Sequence, residues 1–403
     1  MATVVLVGTL DTKGLEYAFL RERVRERGVD VVLVDVGILG EPLTVPDVGR
    51  EQVAAAAGVD LGALAAAGDR GAAIAAMARG AAALIRAMHA EGKVDGILGV
   101  GGSGNSTIIA EAMRALPVGV PKLLVSTVAS GDTRPYMGAT DVAMMYSVVD
   151  IAGINRISAQ ILTNAAAMIA GAATASMPEL ASRPLIGATM FGVTTACVTA
   201  ARERLEELGY EVLVFHATGT GGQSMEALAG AGYLAGVLDA TTTELADELV
   251  GGVLSAGPDR LEAAGASGLP QVVSLGALDM VNFGPREGVP ERFADRQLYV
   301  HNATVTLMRT TPDECRELGR QIGRKLSAAR GPVALYVPLG GVSAIAVPGQ
   351  VFYDADADAA LLEGLGETLA ATVERHDLES DINDAAFAHA MADRLHELIE
   401  GNR

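Results

Sequence analysis

The 403-residue chain has no tryptophan, 4% aromatic residues and only two cysteines. Its core must therefore be made of Val, Leu, Ile, Ala and Met. Cys197 and Cys315 stand alone in the sequence. They match no metal-ligand spacing and no disulfide framework, which fits a reducing cytoplasm. Positive charge is scarce as well: 30 Lys and Arg against 49 Asp and Glu leave a net charge of −19. Such a surface repels nucleic acid and anionic lipid, so neither is an expected partner. The first residues, Met1–Gly8, carry no basic leader and read as a strand rather than a signal peptide. The most membrane-like run, Ile161–Met177, is short and interrupted by Thr163, Asn164, Gly171 and Thr174, and reads as a buried helix. There is no H-E-x-x-H pair and no G-x-S-x-G elbow.

Short apolar runs alternate with helical patterns along the whole chain. Strands are expected at Ala2–Gly8, Val29–Val36, Val94–Val100 and Lys122–Thr127, and helices at Leu15–Arg27, Arg70–Glu91 and Asn155–Ala175. Val142–Val149 fits either state. After Pro178 and Pro184 the pattern restarts. Strands are expected at Leu185–Phe191, Glu211–His216, Gly236–Asp239, Gln271–Leu275 and Val333–Val337. The later helices are expected at Thr194–Leu208, Asp313–Ala329, Ala357–Arg375 and Asn383–Ile399. Strand–helix alternation of this kind specifies parallel sheets covered on both faces. The expected fold is α/β: two doubly wound, Rossmann-like parallel-sheet domains, residues 1–180 and 184–403, with an interdomain cleft.

Three strand–loop–helix junctions carry the chemistry. Gly99-Val100-Gly101-Gly102-Ser103-Gly104 is a G-x-G-x-x-G match between a strand and a helix. Glycines bring the backbone close to a ligand, and the unpaired N–H groups of the following turn favour an anion. Asn105, Ser106 and Thr107 continue this loop, and the two hydroxyls are placed to reach a phosphate or a phosphate-bound Mg²⁺. An acidic residue at the end of the next strand, which a nicotinamide site wants, is missing, as is the phosphate-loop lysine. The second junction holds Thr9, Asp11, Thr12 and Lys13, with Lys13 a point charge for a phosphate. Thr218, Gly219, Thr220, Gly221 and Gly222 form the third, and Ser130 and Gly131 follow another strand. Acid–base candidates are Asp239, Glu244, Asp279 and His301, with His216 also beside a glycine loop. Thr242 or Thr243 followed by Glu244 also reads as a helix cap.

With these motifs the chain resembles the Tm-one-like ATP-binding domain family. The resemblance rests on Gly8–Gly14, Gly99–Thr107, Ser130–Tyr136, Met144–Gly153, Asn155–Ile157, Phe215–Glu226, Asp239–Glu248, Gly276–Val281, His301-Asn302 and Pro338–Ile345. It implies two Rossmann-like domains, ATP at the glycine-rich loops and self-association as a homodimer. It carries no reaction. Ala346 departs from the aspartate expected after Ser343-Ala344-Ile345. The leading expectation is thus a cytoplasmic ATP-binding protein. The alternatives are an enzyme acting on a small phosphorylated or carboxylated metabolite, and a non-catalytic interaction module.

Overall fold

The β-branched run of β1 (Thr3–Gly8) is buried almost throughout, as a central parallel strand requires. The computed structural model describes residues 1–178 and 182–402. It divides into two units, Met1–Glu179 and Leu180–Arg403. The break read at residues 178–184 therefore falls partly on 179–181, outside the described residues.

In the first unit β1 is followed by α1 (Leu10–Arg25), β2 (Asp30–Asp35), α2 (Arg50–Ala56), α3 (Leu61–Ala66), α4 (Arg70–Ala90), β3 (Gly96–Gly101) and α5 (Ser103–Arg114). Then come β4 (Lys122–Ser126), α6 (Arg134–Met137), β5 (Ala143–Tyr146) and α7 (Arg156–Ala173). The strands form one parallel sheet in the order β2-β1-β3-β4-β5. Side chains alternate across it, as a two-residue period demands. Val5 and Val7 pack with Met77 and Ile85 of α4 and Ile109 of α5, whereas Val4 and Leu6 pack with Leu20 of α1 and Ile169 of α7. Among the described residues α4 is the helix whose length and composition would also suit a membrane span, not the run at Ile161–Met177. Ala73, Ala76, Met77, Ala81 and Ile85 on it are core residues.

The second unit contains β6 (Leu185–Met190), α8 (Thr195–Glu207), β7 (Glu211–His216), α9 (Thr220–Gly230), β8 (Gly236–Thr241), α10 (Glu244–Val250), α11 (Ala263–Ala266) and β9 (Gln271–Gly276). It continues with β10 (Met280–Phe283), β11 (Leu298–Asn302), β12 (Val305–Arg309), α12 (Pro312–Ser327), β13 (Val333–Pro338), α13 (Ala355–Thr368), β14 (Glu374–Leu378) and α14 (Ala385–Gly401). Six parallel strands run β14-β13-β9-β8-β6-β7. Both units are doubly wound, as expected.

Three local expectations change. Ala357–Arg375 is not one helix: α13 stops at Thr368, Leu369 turns extended, and β14 pairs with Ala334–Pro338. An open sheet edge there outweighs helix propensity. The undecided stretch Val142–Val149 contributes β5, paired with β4. The antiparallel β10-β12-β11 sheet was not foreseen, because its short strands lack a two-residue glycine turn.

Candidate functional site

In the first unit the chain leaves β1 for β2 on one side and returns to β3 on the other. Loops after β1 and β3 therefore diverge at their carboxyl ends and open a crevice, the position where doubly wound sheets hold ligands. Tyr17 fixes the floor of this crevice. Its fully buried ring passes beneath Gly8, where a Cβ would fall 2.0 Å from the ring. Its hydroxyl donates to the Val7 carbonyl and accepts the Val100 N–H at 2.7 Å, clamping β1 to β3. Burial pushes the phenol upward in pKa, so it stays protonated. Asn105 Nδ2 adds a bond to the Val100 carbonyl at 2.8 Å.

Accounting for backbone N–H groups separates the three loops. At the first junction Asp35 Oδ1 accepts Leu10 N–H at 3.0 Å, so a carboxylate of the protein already caps α1. At the third, Glu244 Oε1 accepts Gly219 N–H at 2.7 Å and Gly222 N–H at 3.1 Å. Within Thr218–Gly222 an internal carboxylate thus fills two amides, and the Thr218 N–H goes to the His216 carbonyl. The middle loop differs in that no carboxylate of the described residues reaches its amides. Gly102 is the N-cap of α5 and supplies no side chain, and Ser106 N–H closes the first helical bond to Gly102. No acceptor reaches the amides of Ser103, Gly104 and Asn105 among the described residues.

Ser103, Gly104 and Asn105 line a cavity of ≈ 610 Å³ whose lining belongs entirely to the first unit. Of the residues singled out in the sequence, Thr9, Asp11, Thr12, Lys13, Gly102, Ser103, Gly104 and Asn105 line it. Others do not. Gly101 is buried beneath the Asn105 side chain. Ser106 is fully buried and bonds Ser126 at 2.7 Å, stitching α5 to β4. Thr107 returns its hydroxyl to Ser103 O at 3.0 Å. Ser130 and Gly131 are exposed beyond a short turn after β4. Asp11 directs Oδ2 at the amides of Ile38, Leu39 and Gly40 rather than at an anion. Lys13 sits at a non-helical kink in α1, its ammonium bonded to the Ile151 carbonyl.

The sequence reading missed several lining residues. Arg70, at the start of α4, has a guanidinium nitrogen 3.4 Å from where a Cβ on Gly104 would sit. Among the described residues no carboxylate pairs with it. Val36, Ile38 and Leu39 from the loop after β2, Leu64 and Ala65 of α3, and Ala73, Ile74 and Ile108 supply apolar walls. The one available signal was Asp69-Arg70, an N-cap followed by a cation where the dipole disfavours one.

The acid–base candidates lie in the second unit, away from this cavity. Asp239 takes two Arg260 nitrogens at 2.5 and 2.7 Å and the Thr189 hydroxyl at 2.7 Å. Glu244 bonds Arg260 Nε at 2.7 Å, and Glu226 completes the cluster at 3.2 Å. Burial raises the Glu244 pKa against the pull of Arg260. Asp279 is buried against Ser343, 2.9 Å away, and burial lifts its pKa to about 6. His301 is exposed on β11. The His216 carbonyl accepts the Thr218 N–H and hydroxyl. A second cavity, ≈ 700 Å³ near α10, α11 and α12, contains none of the predicted loops. Among the described residues no group of three His, Cys, Asp or Glu could hold a metal ion.

Sheet order and loops define a protein of two doubly wound α/β units. The chain belongs to the family described as "Uncharacterised protein family (UPF0261)": the N-terminal domain of that family matches residues 2–178 and its C-terminal domain residues 183–399. A UPF0261 protein of Clostridium tetani is 52% identical over 399 residues, covering 98% of this chain and 99% of that protein. The tomato (Solanum lycopersicum) ToMV resistance protein Tm-1(GCR237) is 44% identical over 322 residues, 78% of this chain and 43% of that protein. The resemblance read from the motifs is thereby borne out. Among solved structures, a UDP-N-acetylglucosamine 2-epimerase is 11% identical with a TM-score of 0.24, covering 92% of each chain.

Proposed function

We propose that the first unit binds a nucleotide in the crevice between β1 and β3, with ATP its favoured ligand. The carrying observation is the set of three unpaired amides at Ser103, Gly104 and Asn105, in a loop that no carboxylate of the described residues enters, whereas Asp35 takes Leu10 N–H and Glu244 takes Gly219 and Gly222 N–H in the other two. A helix N-terminus attracts negative charge through these N–H groups and the helix dipole. Arg70 and Lys13 add cations at the same cavity, which matters in a molecule of net charge −19. Phosphates rest on the amides, the Thr9 and Thr12 hydroxyls lie beside them, and the aliphatic walls take the nucleoside. Mg²⁺ enters with the phosphates, since the cavity offers no ligand cluster of its own.

Calorimetric titration with ATP and Mg²⁺ tests this. Saturable binding is expected, weakened about tenfold in Arg70→Ala by loss of a charged hydrogen bond. No binding at millimolar ATP would overturn the reading. A sugar phosphate or carboxylic acid that raises the melting temperature more than ATP would point to metabolite chemistry instead.

A further inference from the structure

Asp11 poses a problem for a phosphate site, because a carboxylate in the lining repels the ligand. Its bonding offsets part of that repulsion. Oδ2 collects three consecutive amides, Ile38 at 3.2 Å, Leu39 at 3.0 Å and Gly40 at 3.3 Å. That oxygen is held by a nest of backbone N–H groups, while Oδ1 is buried without a partner. Asp35 Oδ1 holds Gly37 N–H at 2.8 Å alongside. Gly37 is pressed so closely that a Cβ would fall 2.8 Å from Asp11 Cγ. Further along, Leu43 N–H bonds Leu10 O at 2.9 Å, and the Arg50 guanidinium holds the Gly40 carbonyl. The segment after β2 is thus fastened to the first turn of α1, and Ile38 and Leu39 become cavity wall.

Leu39 supplies the second observation. It lines the cavity yet is 86% exposed. A large aliphatic side chain held in water by an ordered backbone gains nothing for the fold; it gains when an apolar ligand face covers it. We infer that Asp11 is a positioning residue that builds an aliphatic wall for the nucleoside, so that nucleotide affinity separates into a phosphate part and a nucleoside part. This rests on the nucleotide reading above. The Ser103–Asn105 amides and Arg70 carry the first part. Asp11, through Ile38 and Leu39, carries the second.

Paired titrations with ATP and with inorganic tripolyphosphate, each with Mg²⁺, test the division. Wild type is expected to bind ATP at least about tenfold more tightly than tripolyphosphate, from the apolar area covered. Asp11→Ala removes most of that advantage and does not lower tripolyphosphate affinity. Leu39→Ala, at an exposed position that cannot unfold the protein, lowers ATP affinity about three- to tenfold and also spares tripolyphosphate. Arg70→Ala lowers both. If Asp11→Ala fails to fold, Leu39→Ala decides. Equal losses for both ligands in the Asp11 or Leu39 variant, or no loss for ATP, overturn the inference. So does a wild type that binds both ligands equally, which would leave the phosphate seat standing. A wild type that binds neither overturns the nucleotide reading itself.

Discussion

Replacing Gly102 by aspartate gives this loop an internal carboxylate, as the other two have. Gly102 is the N-cap of α5 with φ −85° and ψ −170°, extended backbone that any residue adopts. A Cβ there meets nothing closer than the Thr127 hydroxyl at 3.6 Å. Aspartate is a preferred N-cap, and its carboxylate would accept the free amides at Gly104 or Asn105, as Asp35 and Glu244 do in their loops. The gain over glycine is a few tenths of a kcal/mol from capping plus about 0.3–1 kcal/mol from the helix dipole. For a unit of this size that raises Tm by roughly 1–4 °C. Phosphate binding suffers the opposite change. One or two charge-assisted hydrogen bonds are lost at about 1.5–3 kcal/mol each, and a negative charge stands in the seat. ATP affinity should fall by at least about a hundredfold while the protein becomes slightly more stable. Calorimetry and thermal melting of Gly102→Asp, with Gly102→Ser as the uncharged control, read both quantities. Unchanged ATP affinity in the aspartate variant would refute the assignment of the amides. A fall in Tm would refute the capping geometry.

Tyr17→Phe removes the hydroxyl that pairs the Val7 carbonyl and Val100 N–H, leaving buried groups unsatisfied at a cost of about 1–3 kcal/mol, visible in urea titration. Arg260→Met leaves Asp239 and Glu244 buried without their cation and should destabilise the second unit by about 3–5 kcal/mol, measured the same way. Stability should also fall between pH 4 and pH 8. Burial raises Asp247 from 3.8 to about 7 and Asp279 from 3.8 to about 6. Over that window the native state keeps protons that the unfolded chain has released, so stability is fully present below pH 4 and lost as pH passes about 7. Asp247→Asn keeps the Asn282 and Leu254 backbone N–H bonds on Oδ1; it loses the bond from Asn282 Nδ2, and a turned-over Asn282 amide then accepts the new N–H on its Oδ1. Its pH slope should be shallower than wild type; an equal slope would assign the titration elsewhere.

Doubly wound architecture was legible because hydrophobic runs and helical periods alternate, and because Val4 to Val7 already announce a strand buried on both faces. The Gly101–Asn105 loop was legible as a strand-to-helix turn for the same local reason. What the sequence hid was occupancy. Asp35 caps Leu10 from 25 residues away, and Glu244 fills Gly219 and Gly222 from 25 and 22 residues away. A glycine motif reads identically whether its amides are free or already taken. Arg70 was hidden differently. It stands on an amphipathic helix where a cation looks like a solvated face, and only tertiary packing brings it to Gly104. The Glu374–Leu378 strand was lost because its partner edge on β13 is a property of the folded sheet.

The most direct measurement is amide NMR of the ¹⁵N-labelled protein titrated with ATP and Mg²⁺. The N–H signals of Ser103, Gly104 and Asn105 should move furthest and saturate together, while those of Leu10, Gly219 and Gly222 stay in place. Binding that leaves the first three unmoved, or that shifts Gly219 and Gly222 instead, would contradict the account.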